Sequence, residues 1–382
     1  MLLASGLLTI ARGMTLPFMT IYLTERFGWN VQSVGTAMTL ALGFSTLSSL
    51  LSGMLADSFD KKRFLSLSAL FFGCGFALLP LCENPYLVVF IFSLVNATYS
   101  LFAIVIKSYF SETLAIEERP RVFSLNYTFI NIGWAVGPPI GTWVMSWSLN
   151  LPFWLAALTV CVPWWLIASR VPPLPPAALS DGSHWQPRLL LHDRALAWFT
   201  LSNFLSQLAF GAFTACLAQY AIARHDATLA AQIVAVVLPV NATIVVVLQY
   251  LVGKRLRPEN LQRMMGFGTI FFIFGLAGFM ISGTNLWLWG LSAVIFTLGE
   301  LIFVPGEYML IDNIAPDGMK ASYFSAQTLG TLGGALNPLL TGYLLLWIPG
   351  SGMFMVFISV VVMAWVALIV GMRQVSPAKI RS

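Results

Sequence analysis

Four ionisable residues stand within or at the edge of stretches otherwise too apolar to hold them: Arg12, Lys107, Glu300 and Glu307. A carboxylate held between burial, which favours its neutral form, and a nearby cation, which favours its charged form, can load and release a proton near neutral pH. Glu300 is the first candidate for that role. It falls about 21 Å into its apolar run at 1.5 Å per residue. The plainer alternative is a hydrogen-bonding residue on a helix–helix face. Arg12 lies near the middle of the first run, where a charge costs roughly 2.5–3.5 kcal/mol even on insertion scales. It is either an anchor for an anionic substrate group, a counter-ion to a proton-carrying acid, or a half-buried residue that snorkels to the surface. Glu307 follows Glu300 by seven residues, on the same helical face and about 10 Å further along.

Polar side chains that could line a cavity are sparse: Tyr22, Asn96, Asn126, Asn131, Trp134, Asn203, Gln207, Asn241 and Gln249. Each alone reads equally as a helix–helix hydrogen bond, worth about 0.6 kcal/mol on average. A cavity with few charges and many Phe, Met and Trp walls favours neutral or zwitterionic, partly apolar molecules over polyanions. His184, His192 and His225 are too scattered for a metal site or a nucleophilic triad, and Cys74, Cys82, Cys161 and Cys216 lack metal-ligand spacing and are expected as free thiols. No G-x-x-x-x-G-K-[ST] phosphate loop occurs. An enzyme is therefore not expected, and no metal or cofactor is implied.

These residues must be positioned by membrane-spanning helices. With 58% hydrophobic and 9% charged residues over 382 positions, and a mean hydropathy of +0.83, a soluble core could not hide the apolar surface. Runs of about 20 apolar residues predict helices near 1–24, 32–55, 64–83, 86–110, 122–147 and 151–170, then 197–222, 229–252, 262–283, 286–311, 320–345 and 350–372. The fold class is thus an all-α membrane protein of twelve helices. With both termini cytoplasmic, 16 of the 20 Lys and Arg residues fall on the cytoplasmic side, leaving Arg26 and Arg224 outside and Arg12 and Lys107 in or beside helices. The net charge of +5 then reports topology, not nucleic-acid binding. Met1 opens almost directly into the first run, which Arg12 interrupts, so no cleaved signal peptide is expected.

A proline-rich linker over 171–196 divides the chain into bundles over 1–170 and 197–372, with a tail over 373–382. The halves echo each other at an offset near 200. Phe123-Ser124-Leu125-Asn126 matches Phe324-Ser325-Ala326-Gln327, and Gly133, Gly137 and Pro138 match Gly333, Asn337 and Pro338. The ladder Gly133-(x3)-Gly137-Pro138-Pro139-Ile-Gly141 would break a soluble helix. In lipid it becomes a close-packing face with a bend. The same offset equates Lys107 with Glu307, opposite charges read either as a cytoplasmic gate or as independent snorkelling residues. Asp57 and Asp312, at cytoplasmic helix ends, join this gate set. Asp57 could cap the positive end of a neighbouring helix, a contact worth about 0.3–2 kcal/mol.

The loop Gly53-Met-Leu-Ala-Asp57-Ser-Phe-Asp60-Lys61-Lys62-Arg63 resembles the signature loop of the major facilitator superfamily, G-x-x-x-D-[RK]-x-G-[RK]-[RK], with departures at Ser58 and Asp60. Lys61, Lys62 and Arg63 are themselves read as positive-inside residues touching phospholipid. The ladder resembles the antiporter motif of the fifth helix, G-x-x-x-G-P-x-x-G-G, with Thr142 in the last place. The arginine that relatives carry on the fourth helix is absent; its register holds Asn96 and Ser100. Segments around Arg12–Leu23 and Pro305–Asp312 are similar to the YdeE-type enterobacterial group. The resemblance implies two pseudo-symmetric six-helix bundles in a bacterial inner membrane, acting as a monomer on a small-molecule substrate. It implies proton-driven efflux of drug-like compounds, sugars or short peptides, with the proton gradient as energy source. Import of a sugar or peptide by symport or facilitation, and a non-transporting sensor, are the rival readings.

Overall fold

The computed structural model describes residues 1–176, 187–211, 213–349 and 351–375. Linker residues 177–186, including His184, and tail residues 376–382, with Lys379 and Arg381, lie outside the described residues. The helices in chain order are α1 (Leu2–Thr15), α2 (Met19–Phe27), α3 (Val31–Ala56), α4 (Lys61–Leu78), α5 (Pro85–Thr113), α6 (Arg119–Met145), α7 (Leu151–Arg170) and α8 (Pro187–His192). They continue as α9 (Arg194–Phe210), α10 (Phe213–Arg224), α11 (Ala227–Gly253), α12 (Leu261–Ile281), α13 (Leu286–Ile314), α14 (Lys320–Gln327), α15 (Leu332–Trp347) and α16 (Met353–Gln374). Among the described residues, nine helical spans are long and apolar enough to cross a membrane. Of the three other expected crossings, that over 32–55 is represented by the shorter apolar stretch Thr36–Leu51 in α3, that over 122–147 is long enough in α6 but not apolar enough, and that over 197–222 is split between α9 and α10.

Local chemistry sets the helix starts. Side chains of Asn30, Asp60, Asn84, Asp193, Asp226 and Asn285 each accept from a backbone amide in the first turn of the helix that follows, which satisfies donors that have no intrahelical partner. Interruptions are local too. Pro17 lies between α1 and α2, where its missing N–H and its ring oppose a continuous helix. Gly28 closes α2 with φ 67°, a left-handed conformation that suits glycine. The ladder helix α6, by contrast, stays unbroken through Pro138 and Pro139, whereas its repeat partner passes through a 3-10 turn over Thr328–Thr331 before α15.

Two compact units are present. The first comprises Met1–Leu114, Asn126–Gln186 and Pro316–Ser325; the second comprises Ala115–Leu125, Pro187–Ala315 and Ala326–Ser382. Each therefore includes a short piece from the other half of the chain. In the first, Phe72, Phe76, Tyr22, Tyr99 and Phe153 form a chain of ring contacts. In the second, Phe210 stacks on Phe272 with ring centroids 4.2 Å apart, and Phe296, Phe303, Phe279 and Trp289 extend the cluster. Exposed Leu, Val and Phe side chains such as Leu47, Leu158, Phe274 and Val366 cover the outer faces, an arrangement suited to lipid. Trp147 and Trp347 are exposed at the ends of helical runs that open near Arg119 and Lys320, and Tyr86 and Trp287 open α5 and α13. Aromatic residues at one end and basic residues at the other mark the two interfaces of a bilayer.

The glycine ladders explain how the first helix of each half meets its partner. A Cβ on Gly137 would lie 2.8 Å from the Gly13 Cα and from the Ile10 carbonyl oxygen; on Gly141 it would lie 2.5 Å from the Met14 carbonyl oxygen. The Thr9 side chain fills the position beside Gly133. The α6 backbone therefore rests directly on α1. In the second unit, a Cβ on Gly333 would collide with the Phe204 carbonyl oxygen, and Asn337 Nδ2 donates to the Leu208 carbonyl oxygen at 2.8 Å. The repeat-related element packs on α9 in the same manner.

Candidate functional site

At the signature loop, Asp57 is 2% exposed and accepts two backbone hydrogen bonds, from Ala321 N at 2.9 Å and Ser322 N at 2.7 Å. These are first-turn amides of α14, so the carboxylate sits where a helix N-terminus presents orphan donors and positive partial charge. Ser325 Oγ donates to the Ser49 and Leu50 carbonyl oxygens, and its Cβ occupies the space that a side chain on Gly53 would need. Burial pushes the Asp57 carboxyl up to about 6, against the opposing pull of Ser322, Lys61 and the Ala321 amide.

Lys61 overturns its sequence reading. It is completely buried, not lipid-facing, with Nζ 2.9 Å from Glu112 Oε1 and 3.8 Å from Asp57 Oδ1. Ser108 Oγ donates to the same Glu112 oxygen at 3.2 Å, and the Lys61 amide donates to the Leu174 carbonyl oxygen at 3.0 Å. A buried ammonium demands a carboxylate, and two flank it. Lys62 is half-buried and Arg63 is exposed, leaving them available to headgroups. Glu112 went unnoticed in the sequence because it follows Lys61 by 51 residues, a separation that carries no periodic signal.

In the interior of the first unit, Arg12, Asn96, Tyr99 and Trp134 come together. Arg12 Nε donates to Asn96 Oδ1 at 3.2 Å, and its guanidinium lies 4.4 Å from the Tyr99 ring centroid and 5.8 Å from that of Trp134. Asn96 Nδ2 is tied to the Phe92 carbonyl oxygen, and Thr9 Oγ1 bonds the Tyr99 hydroxyl at 2.9 Å. Asn96, at the register of the absent fourth-helix arginine, thus receives an arginine from α1. Tyr99 was missed, although its i, i+3 spacing from Asn96 put it on the same face. Tyr22 does not join this group. Its hydroxyl donates to the Leu79 carbonyl oxygen and accepts from Arg26, and its ring packs edge-on against Phe153 at 4.7 Å. Asn131 donates to the Tyr127 carbonyl oxygen of its own helix, and Asn126 is buried.

In the second unit, Asn241 Nδ2 donates to Glu300 Oε2 at 2.6 Å and to Thr297 Oγ1 at 3.0 Å. Thr297 in turn donates to the Ala293 carbonyl oxygen. Glu300 is partly accessible, and Glu307 is buried. Asp312 Oδ2 lies 2.8 Å from Arg119 Nη1, an ion pair inside this unit that sequence separation concealed. Gln249 is a buried tie between α11 and α13, donating to the Leu301 carbonyl oxygen. Asn203 Nδ2 donates to the Gln327 carbonyl oxygen, and Gln207 lies against Gly211 and Gly334. Lys107, in the first unit, has its ammonium 5.8 Å from the Phe324 ring centroid. Reading it with Glu307 as a gate rests on their sequence offset alone.

Apolar spans with opposed interfacial ends, and buried charge inside each unit, define a multi-pass membrane protein. Residues 1–338 match the Major Facilitator Superfamily, and the chain belongs to that family. It is 50% identical to the MFS-type transporter YdeE of Escherichia coli strain K12 over 374 residues, covering 98% of this chain and 95% of the relative. A Na(+), Li(+), K(+)/H(+) antiporter of Planococcus maritimus is 24% identical over 359 residues, covering 85% of this chain and 84% of that protein. Among solved structures, a bacterial homologue of the iron transporter ferroportin in an outward-facing state shares the fold with a TM-score of 0.76 at 16% identity, over 97% of this chain and 98% of that one. The protein is a transporter, not an enzyme.

Proposed function

We propose that this transporter is a proton-coupled antiporter that exports small amphiphilic molecules across a bacterial inner membrane, with both chain termini cytoplasmic. The observation that carries the reading is Glu300, an acid within the apolar span of α13 whose carboxylate is held by the Asn241 amide. An ionisable group at such a depth is expensive to maintain and marks a proton or ion pathway by default. Glu300 is also partly accessible, as a group that must both bind and release a proton has to be. The antiporter-type ladder of α6 and the named activity of the Planococcus relative support the direction of coupling.

Transport then proceeds by alternating access, with the two six-helix halves rocking. Asp57 acts as a releasable clamp on the first turn of α14, and Arg119–Asp312 is a second candidate for a pair that parts during the cycle. The glycine ladders supply the packing that must survive it. In everted vesicles carrying an imposed proton gradient, addition of a transported compound identified by thermal shift is expected to release protons. Glu300→Gln is expected to abolish that release while the folded protein is retained. Proton release undiminished in Glu300→Gln removes Glu300 from the coupling step.

A further inference from the structure

We propose that Arg12, backed by Asn96 and Tyr99, is a carboxylate-binding subsite, so that the transported molecule carries an anionic carboxylate attached to an apolar or aromatic body. The inference rests on the transporter reading and adds the substrate class. A guanidinium presents five N–H donors in a planar fork. Here the Nε donor is used by Asn96 and a second hydrogen bond joins the guanidinium to the Tyr99 side chain, which leaves the larger part of the fork's five donors over. No carboxylate among the described residues lies within 4.0 Å of Arg12; the described ion pairs of this unit involve Lys61. The guanidinium also lies over two aromatic rings, Tyr99 at 4.4 Å and Trp134 at 5.8 Å.

The surroundings hold this fork in place instead of satisfying it. Asn96 cannot turn its oxygen away without giving up the bond from Nδ2 to Phe92, and Tyr99 is fixed through its hydroxyl by Thr9. Gly13, one residue along α1, is pressed against Pro138 and Gly137, which anchors the backbone that carries Arg12. A side chain kept in this way, with N–H donors left over in an apolar span, matches the planar two-oxygen geometry of a carboxylate. The partly exposed indole of Trp134 supplies an apolar surface beside it.

The test compares two probes of nearly equal size, 6-phenylhexanoate and 6-phenylhexanamide, titrated into the purified full-length protein in neutral detergent by calorimetry. Wild type is expected to bind the acid roughly 10–100-fold more tightly than the amide, as charge-assisted hydrogen bonds imply. Arg12→Gln is expected to lose that preference, and Arg12→Lys to keep part of it, since a point charge replaces a fork. Thermal unfolding of each variant in the same detergent reports that it is folded. Equal affinity of wild type for both probes, binding of neither at millimolar concentration, or an acid preference that survives Arg12→Gln overturns the subsite. The outcome is separable from the coupling mechanism: a protein that discriminates the acid through Arg12 yet releases no protons retains the subsite and loses the antiport reading.

Discussion

Asp57→Asn separates charge from shape at the first turn of α14. In the wild type, burial raises the carboxyl to about 6 from an ordinary 3.8. A raised value means that the folded state favours the protonated acid. The associated stability is fully present below about pH 3.8, declines as pH rises, and is gone above about pH 6. At 1.36 kcal/mol per pH unit, acidification from pH 7.5 to 4.5 stabilises the folded wild type by about 2 kcal/mol through this one group. Asparagine has no proton to gain, and it offers one acceptor where Asp57 offers two oxygens to the Ala321 and Ser322 amides. Loss of one charge-assisted bond, about 1.5–3 kcal/mol, is offset at pH 7.5 by removing a buried charge. The variant should therefore lie close to wild type at pH 7.5 and fall below it by about 2 kcal/mol more at pH 4.5. Thermal unfolding of both proteins in the same detergent at the two pH values measures that difference. A gap that does not change between pH 7.5 and 4.5 refutes the argument, because it shows that Asp57 does not titrate in this window.

Other substitutions probe the remaining contacts. Gly137→Ala forces a methyl against the Gly13 backbone and is expected to destabilise by about 1–3 kcal/mol, whereas Gly342→Ala, with open space around its Cβ position, should unfold at nearly the wild-type temperature. Lys61→Met leaves Glu112 and Asp57 facing one another without their cation and should cost about 3–5 kcal/mol; adding Glu112→Gln should recover part of this, and a strictly additive double variant would show that the pair does not interact.

Much of this molecule follows from short-range pattern. Apolar runs, capping side chains before α3, α4, α5, α9, α11 and α13, and the proline between α1 and α2 act within a few residues, so periodicity and residue type expose them. The ladder was legible for the same reason, since glycine four residues apart states that a backbone approaches. What approaches it was not. Sequence could offer Lys61 only as one of three adjacent basic residues, and its burial depends on Glu112 at the far end of α5 and on the carbonyl of Leu174. Tyr22 misled in the opposite sense. A polar aromatic in an apolar run suits a cavity, but its hydroxyl is taken by Arg26, one helical turn away, and its ring by Phe153.

Amino-acid order alone determined that this chain lives in lipid and that one glycine and proline pattern is used twice, because hydropathy and an internal repeat are properties of the chain read along its length. Only the tertiary structure decided which charges are partnered. It gave Asp57 two helix amides, Lys61 two carboxylates and Glu300 an asparagine, and it left Arg12 against a carbonyl and two aromatic faces. Electrostatic energy depends on distance through a medium of low dielectric, and distances between residues far apart in sequence are set only when the helices pack.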